Sequence, residues 1–265
     1  MKEWIKLLKE DVNSFNVEIQ KVSIDERTMF KGLDLSNIDF SAANVKFCDF
    51  SESDLQFSQI SGYLLSTCRL EKTNLNNTLL ETIFWKEKIK TLKLIWAGSE
   101  QWNRAKLSNN PIIISEGNFL NGNFRDMDFR DVSFTSCIFN KGQFNNMNLS
   151  STSFNASQME SVRFKNIKSY NVSFQRAILD KSSWEDMVLE DSKLNESQLK
   201  KTVFKNVIFK NILFNKANCQ EAYFEKCKFV DCHFFGTDLT KATFSNCDFK
   251  NSRIEEGIII GVTVM

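Results

Sequence analysis

From residue 28 onward an apolar side chain returns at every fifth position. The first run is Phe30, Leu35, Phe40, Val45, Phe50, Leu55, Ile60, Leu65, Leu70, Leu75 and Leu80. After a break a second run starts in a new phase at Ile114, Phe119, Phe124 and Phe129 and continues to Ile259. Only Ser169 interrupts it outright, with Tyr170 beside it. A period of five matches neither the 3.6 of an α-helix nor the 2 of a strand, so the backbone must turn a corner every five residues. Two positions before each centre stands a smaller residue, such as Ala43, Cys48 and Thr73 in the first run and Cys137, Thr152, Ala177 and Ala242 in the second. One large and one small inward residue per five predict a narrow, filled interior. The other three positions are mostly Asn, Asp, Ser, Lys, Glu and Arg, and face water. Units that cannot bury an apolar face alone do so by stacking, which predicts a solenoid.

The pattern resembles the pentapeptide-repeat family, whose unit reads roughly Ala-(Asp/Asn)-Leu-x-x. Matching stretches are Ala43-Asn44-Val45, Thr73-Asn74-Leu75, Ala217-Asn218-Cys219, Thr237-Asp238-Leu239 and Cys247-Asp248-Phe249. The resemblance spans residues 28 to 260 apart from one insertion, with Phe in place of Leu at most centres of the second run. It implies an all-β solenoid, a right-handed quadrilateral β-helix with four repeats per coil. A short N-terminal helix and a helical insertion complete the expected fold.

Four repeats per coil would stack residues twenty apart. Phe124, Phe144, Phe164, Trp184, Phe204, Phe224 and Phe244 then form one aromatic column. Charges share the spacing: Asp180 with Lys200, Glu185 with Lys205, Glu190 with Lys210, Glu196 with Lys216, Lys201 with Glu221 and Lys205 with Glu225. Each exposed pair is worth only about 0.2–1 kcal/mol, so their weight is as a sign of the coil length.

The expected divisions are an N-terminal helical cap (1–27), a first array (28–80), a helical insertion (81–113) and a second array with an apolar end (114–265). In the first segment Trp4, Ile5, Leu7 and Leu8 predict a short amphipathic helix, either a cap on the open first coil or a partner-binding or membrane-surface helix. In the insertion Trp85, Ile89, Leu92 and Trp96 make a helical stripe, Ala97-Gly98 can end it, and Ser99 can cap a second helix carrying Trp102. This insertion is either a helical pair packed at a break between stacks or the recognition element. Its three tryptophans, Trp85, Trp96 and Trp102, are candidate contacts because Trp is favoured at binding hot spots. Val203, Ile208, Leu213, Tyr223, Val230 and Phe235 are apolar at outward positions and form a candidate interface. Near the end, Ile258, Ile260, Val262 and Val264 extend an apolar run that another chain covers or that folds over its own coil end. Homodimerisation there agrees with the resemblance, since several family members dimerise at their C-terminal ends.

Composition adds mainly exclusions. Among 265 residues the net charge is +1, so no overall field steers a partner. Six of the seven cysteines fall on the small inward position and Cys219 on the large one, as buried reduced thiols would. That usage, with no secretory h-region and no run long enough to span a membrane, predicts a cytoplasmic protein, with delivery by a specialised secretion machine as the other route. The only histidine, His233, falls on an outward position with no orienting acid, and no phosphate-binding loop appears. No cofactor or metal is expected, and the chain reads as a non-enzyme that binds another protein as scaffold, adaptor or protective factor. The alternative comes from the resemblance: family members that protect DNA gyrase and topoisomerase IV imitate duplex DNA. The acidic stretch Asp34, Asp39, Asp49, Glu52 and Asp54 keeps a topoisomerase partner open. Direct nucleic-acid binding is disfavoured, because the lysines are spread out rather than grouped with base-stacking aromatics.

Overall fold

The computed structural model describes residues 2–80, 83–105 and 112–265, without the side chains of residues 2, 83–87 and 105. They form two compact units, Met1–Gln101 and Trp102–Met265.

In the second unit every backbone pairing is parallel and joins residues twenty apart. Phe124 pairs with Phe144, Phe144 with Phe164, Phe164 with Trp184, Trp184 with Phe204, Phe204 with Phe224 and Phe224 with Phe244. The expected column is therefore real, and the unit is a β-solenoid with four five-residue faces per coil. Its rings touch along the axis: Phe204–Phe224 and Phe224–Phe244 each stack at 4.7 Å with 4° between planes. The column of Phe214 and Phe234 repeats this at 4.6 Å.

Two local devices turn the corners. The second residue after each centre has positive φ from Glu116 to Gly261, for example Asn171 at 54° and Lys201 at 59°. This left-handed region is unfavourable for non-glycine residues by roughly 1–2 kcal/mol, least so for Asn and Asp, which recur here. Many corners close with a three-residue hydrogen bond, such as Gly142 N–H to the Phe139 carbonyl at 2.8 Å. The Asp or Asn before the centre is the second device. Its side chain accepts the backbone N–H two residues on: Asp128 from Arg130, Asn148 from Ser150, Asp238 from Thr240. Such Asx turns explain chemically why the repeat carries Asp or Asn there.

The small inward position has its own logic. Its hydroxyl donates to the carbonyl of a centre residue in the coil below, as Thr152 does to Phe129 at 2.7 Å and Thr237 to Phe214 at 2.8 Å. Cys232 places its thiol on the Phe209 carbonyl in the same way. Ser, Thr and Cys are therefore satisfied inside an otherwise apolar core. Two buried hydroxyls have no partner: that of Ser51, and that of Ser169, which occupies a centre position.

Unit 1 opens with two helices, α1 (Lys2–Glu10) and α2 (Val12–Lys21), the second capped by the Asp11 side chain on Ser14 N–H. The helix that covers the first coil is α2, not α1: Phe15 lies 6.0 Å from Phe30, and Trp4 of α1 packs edge-on against Phe15. Asn16 completes the cap, donating to the Ala42 carbonyl at 2.9 Å and accepting from Asn44 N–H at 2.6 Å. The first array then keeps the twenty-residue register, with Asp34 over Asp54 and Asp49 over Arg69. One face is replaced by a short helix, α3 (Gly62–Ser66), which still buries Leu65 at the expected centre. Next come α4 (Ile83–Trp96) and α5 (Ser99–Ala105); α5 straddles the division between the units. The turn expected at Asn109-Asn110-Pro111 and Leu107 lie outside the described residues.

The charged pairs form only in part as expected. Glu190–Lys210, Lys201–Glu221 and Lys205–Glu225 pair across coils. Glu185 instead meets Lys165 and Glu196 meets Arg176, because a side chain midway in a stack has a neighbour on either side. Asp180 accepts the backbone N–H of Lys200.

Two measurements test this account. In urea titrations Phe224→Ala should cost about 3–5 kcal/mol, whereas Ser169→Ala, which removes an unsatisfied hydroxyl, should raise stability by about 1 kcal/mol. A loss on Ser169→Ala would show that the hydroxyl is compensated. The second concerns acid. Hydrogen bonds from Ser36 and Ser41 hold Asp34 and Asp39 below the ordinary carboxylate range. Their stabilisation is thus complete above the unfolded-state value and lost as pH falls through the lowered folded one. Amide exchange in residues 30–60 should quicken on acidification. The double variant Asp34→Asn/Asp39→Asn, which keeps both acceptors, should flatten that acid limb.

Candidate partner-binding surfaces

The insertion divides into a structural part and an open part. In α4 the buried face is Ile89, Leu92 and Ile95, while Trp96 is half-buried with the Arg69 guanidinium 4.7 Å from its ring centre. Trp85 belongs to α4, but its side chain lies outside the described residues. Trp102 is not on the surface. It is 1% exposed, packs edge-on against Phe129 at 5.6 Å and donates its indole N–H to the Asp128 carbonyl at 2.6 Å. Beside it Asn103 donates to the Asp126 carbonyl at 3.0 Å and accepts from Asp128 N–H at 2.8 Å. This repeats the device of unit 1, where Phe15 and Asn16 treat Phe30, Ala42 and Asn44 alike. An aromatic ring covers a core column, and a side-chain amide supplies the hydrogen bonds of a missing coil. A tryptophan at a solenoid end is required to bury surface, so composition alone did not distinguish it from a hot spot.

The six outward apolar residues do not share one face. Val203 and Tyr223 are register partners on one face; Ile208 stacks between Val188 and Lys228 on the next, which also holds Val230. Leu213 and Phe235 belong to a third, where Leu213 lies between Lys193 and His233, and Phe235 pairs with Glu255. Ile208 and Phe235 are the most open of the six and the rest are half-buried.

The terminal coil is different. Phe249, Ile254, Ile259 and Val264 occupy core columns, yet they are 45%, 47%, 61% and 76% exposed. Their partners one coil earlier, Phe229, Phe234, Leu239 and Phe244, are buried. Ile258, Ile260 and Met265 are exposed beside them and Val262 is half-buried. The bare core thus joins an apolar rim, and the sequence signal missed was that the centres themselves, not only the outward residues, are open.

Little here is reactive. His233 is exposed between Leu213 and Arg253 in its ladder, with no carboxylate in that row. All seven cysteines are free thiols, and burial pushes Cys219 and Cys232 up. Half-exposed Cys247 is held down by a hydrogen bond from Cys227, one coil below. Among the described residues no group of three His, Cys, Asp or Glu side chains is placed to hold a metal, and no helix is long and apolar enough to cross a membrane.

The family described as pentapeptide repeat region matches residues 127–204, and pentapeptide repeats (8 copies) match 26–56. Both arrays are therefore built of pentapeptide repeats, and the chain is a pentapeptide-repeat protein. The SV2A/B/C luminal domain family also matches, over 184–254. Similar solved structures include HetL, a pentapeptide repeat protein involved in heterocyst differentiation regulation from the cyanobacterium Nostoc sp., at 13% identity, 86% coverage of both chains and a TM-score of 0.31. Full-length QnrB1, a plasmid-mediated fluoroquinolone resistance protein, is similar at 11% identity over 88% of this chain and 92% of its own, with a TM-score of 0.36. At such scores the likeness transfers no partner or role. No curated protein matches the chain.

If α5 is a structural cap, Asn103→Ala should destabilise the second unit by about 1–3 kcal/mol in urea titrations, because two hydrogen bonds at the coil edge go unmade. An unchanged midpoint would return α5 to the list of exposed recognition elements.

Proposed function

We propose that this chain is a non-enzymatic solenoid protein that works by binding protein through the exposed apolar surface of coil 249–265. The observation that carries this is the exposure of four core-column side chains at one solenoid end, joined to the Ile258–Met265 rim. Contiguous apolar surface on that scale marks interaction sites, and open strand edges add backbone donors and acceptors to it. A second copy of the chain is the simplest occupant, since two identical ends bury the same columns. Val203, Tyr223 and Ile208, on adjacent faces of the second unit, are a secondary contact for a partner lying across them. Free cysteines throughout the core fit a reducing compartment such as the cytoplasm.

Imitation of duplex DNA toward a topoisomerase needs acids ranked along a face. In unit 1 Asp34, Asp39, Asp49 and Asp54 fall on three different ladders, and each accepts a backbone N–H of its own turn. Their positions are explained by turn formation, so they give that alternative no specific support.

Light scattering on the intact chain tests the proposal. Concentration-dependent dimers are expected, with Ile260→Glu/Val264→Glu giving monomers of unchanged circular dichroism. Monomers at every concentration in both proteins would remove self-association. Dimers that survive the double substitution would move the contact away from this end.

A further inference from the structure

Two pairs among the seven cysteines stand one coil apart in the same column: Cys48 with Cys68, and Cys227 with Cys247. Their surroundings differ. Cys48 and Cys68 are both sealed in the core, and burial pushes the Cys68 thiol up to about 12. Cys227 is buried too, but Cys247 is half-exposed. Register around the second pair is fixed on both sides, by Glu225 with Ser245 and by Lys228 with Asp248. The two sulfurs also point the same way. Cys227 Sγ lies 3.6 Å from the Phe204 carbonyl, and Cys247 Sγ lies 3.4 Å from the Phe224 carbonyl, its counterpart one coil on. The sulfur of Cys247 is thus directed onto the coil that holds Cys227, and the Cys227 thiol hydrogen-bonds to it.

This spacing suits a bond between the sulfurs. Register partners on adjacent strands lie about 4.8 Å apart, inside the roughly 4.4–6.8 Å between the Cα atoms of a disulfide. The Cβ atoms must close to about 3.5–4.5 Å, nearer than the strand spacing, so the bond would pull two coils together locally. Such strain makes a disulfide easy to reduce, and easily reduced bonds are the transient, sensing kind found in reducing compartments. The hydrogen bond from Cys227 holds the Cys247 thiol down to about 7, and the thiolate this favours is the nucleophile in thiol oxidation.

We propose that Cys227 and Cys247 are a redox-sensitive pair, in which hydrogen peroxide oxidises Cys247 and Cys227 resolves the product as a disulfide between coils. The Cys247 thiolate attacks one peroxide oxygen, the O–O bond breaks, and the departing hydroxide takes up a proton as water. The Cys227 sulfur then attacks the sulfur of the Cys247 sulfenic acid. The S–O bond breaks, and the second hydroxide leaves as water with the Cys227 proton. Two thiols and one peroxide thereby give one disulfide and two waters. Cys48 and Cys68 share the spacing but not the access to solvent, so they stay reduced. The pair rests on no reading of the apolar surface of coil 249–265, although a chain seated there would slow access to Cys247.

Peptide mapping of the intact chain after brief exposure to hydrogen peroxide, with the remaining thiols alkylated in denaturant, tests this. A linked peptide joining Cys227 to Cys247 is expected, lost again on treatment with dithiothreitol, while Cys48 and Cys68 are recovered alkylated. Cys227→Ser should stop the reaction at the Cys247 sulfenic acid, which dimedone traps. Cys247→Ser should slow oxidation of Cys227 at least about tenfold, because the accessible thiolate is gone. The same mapping on Ile260→Glu/Val264→Glu removes shielding by a second copy, and the linked peptide in that variant alone would still uphold the pair. The proposal is overturned if neither protein yields the Cys227–Cys247 peptide, if Cys247 links to another chain instead, or if Cys247→Ser leaves oxidation of Cys227 unchanged. Oxidation of Cys48 and Cys68 at the same rate would also overturn it, since loosening of the core would then expose all thiols alike.

Discussion

Parallel backbone hydrogen bonding at a constant offset of twenty residues is the constraint on which the rest depends. Once Phe204 must lie over Trp184 and under Phe224, each inward position becomes a column rather than a site, and a side chain is chosen by what it meets above and below. Flat rings suit this because they stack at about the spacing of adjacent strands, which accounts for the dominance of Phe in the second array. The polar face obeys the same constraint. Asn206 meets Asp186, Asn211 meets Asp191 and Lys210 meets Glu190, so charges that would repel in a uniform column alternate or are diluted by amides.

What the sequence disclosed follows from that regularity. A five-residue period, a small inward partner and a twenty-residue column were all legible because each is repeated many times, and repetition averages out local exceptions. The features that escaped are those occurring once. Helix α2 is marked by Asp11 at its cap and by Phe15 and Ile19 one turn apart, but two buried residues in ten are a weak signal. Helix α3 hides inside the period, because Leu65 keeps the expected place while its backbone changes. Pairing of Glu185 with Lys165 rather than Lys205 was beyond pattern reading, since both neighbours are lysines at equal separation. Trp102 shows the same limit in the candidate site: the same residue type serves a buried cap and an exposed anchor, and only the Asp128 carbonyl tells which.

A solenoid solves its interior by repetition and is left with its ends. Here the ends are treated unequally. In unit 1 the first coil is closed by Phe15 on Phe30 and by Asn16 on the strand edge. In unit 2 the first coil receives Trp102 and Asn103 in the same roles. One short aromatic–Asn pair, carried on a helix, answers both needs of an open coil: apolar cover for a column and hydrogen bonds for an edge. In the coil of Phe249, Ile254, Ile259 and Val264 the core columns meet solvent.

That inequality links fold to function. An end closed by its own helix contributes stability and has little left to offer a partner. A coil that leaves Phe249, Ile254, Ile259 and Val264 open lacks that stabilisation, and its apolar surface is what the proposed association would bury. The faces of the coils differ from it, because the stacking that builds them places lysines, glutamates and asparagines between the outward apolar residues. Recognition in a regular solenoid therefore belongs where regularity stops. Among the described residues it stops at the helices α1 to α5 and at the exposed coil of Phe249 to Val264, and contiguous apolar surface of the latter kind is suited to protein.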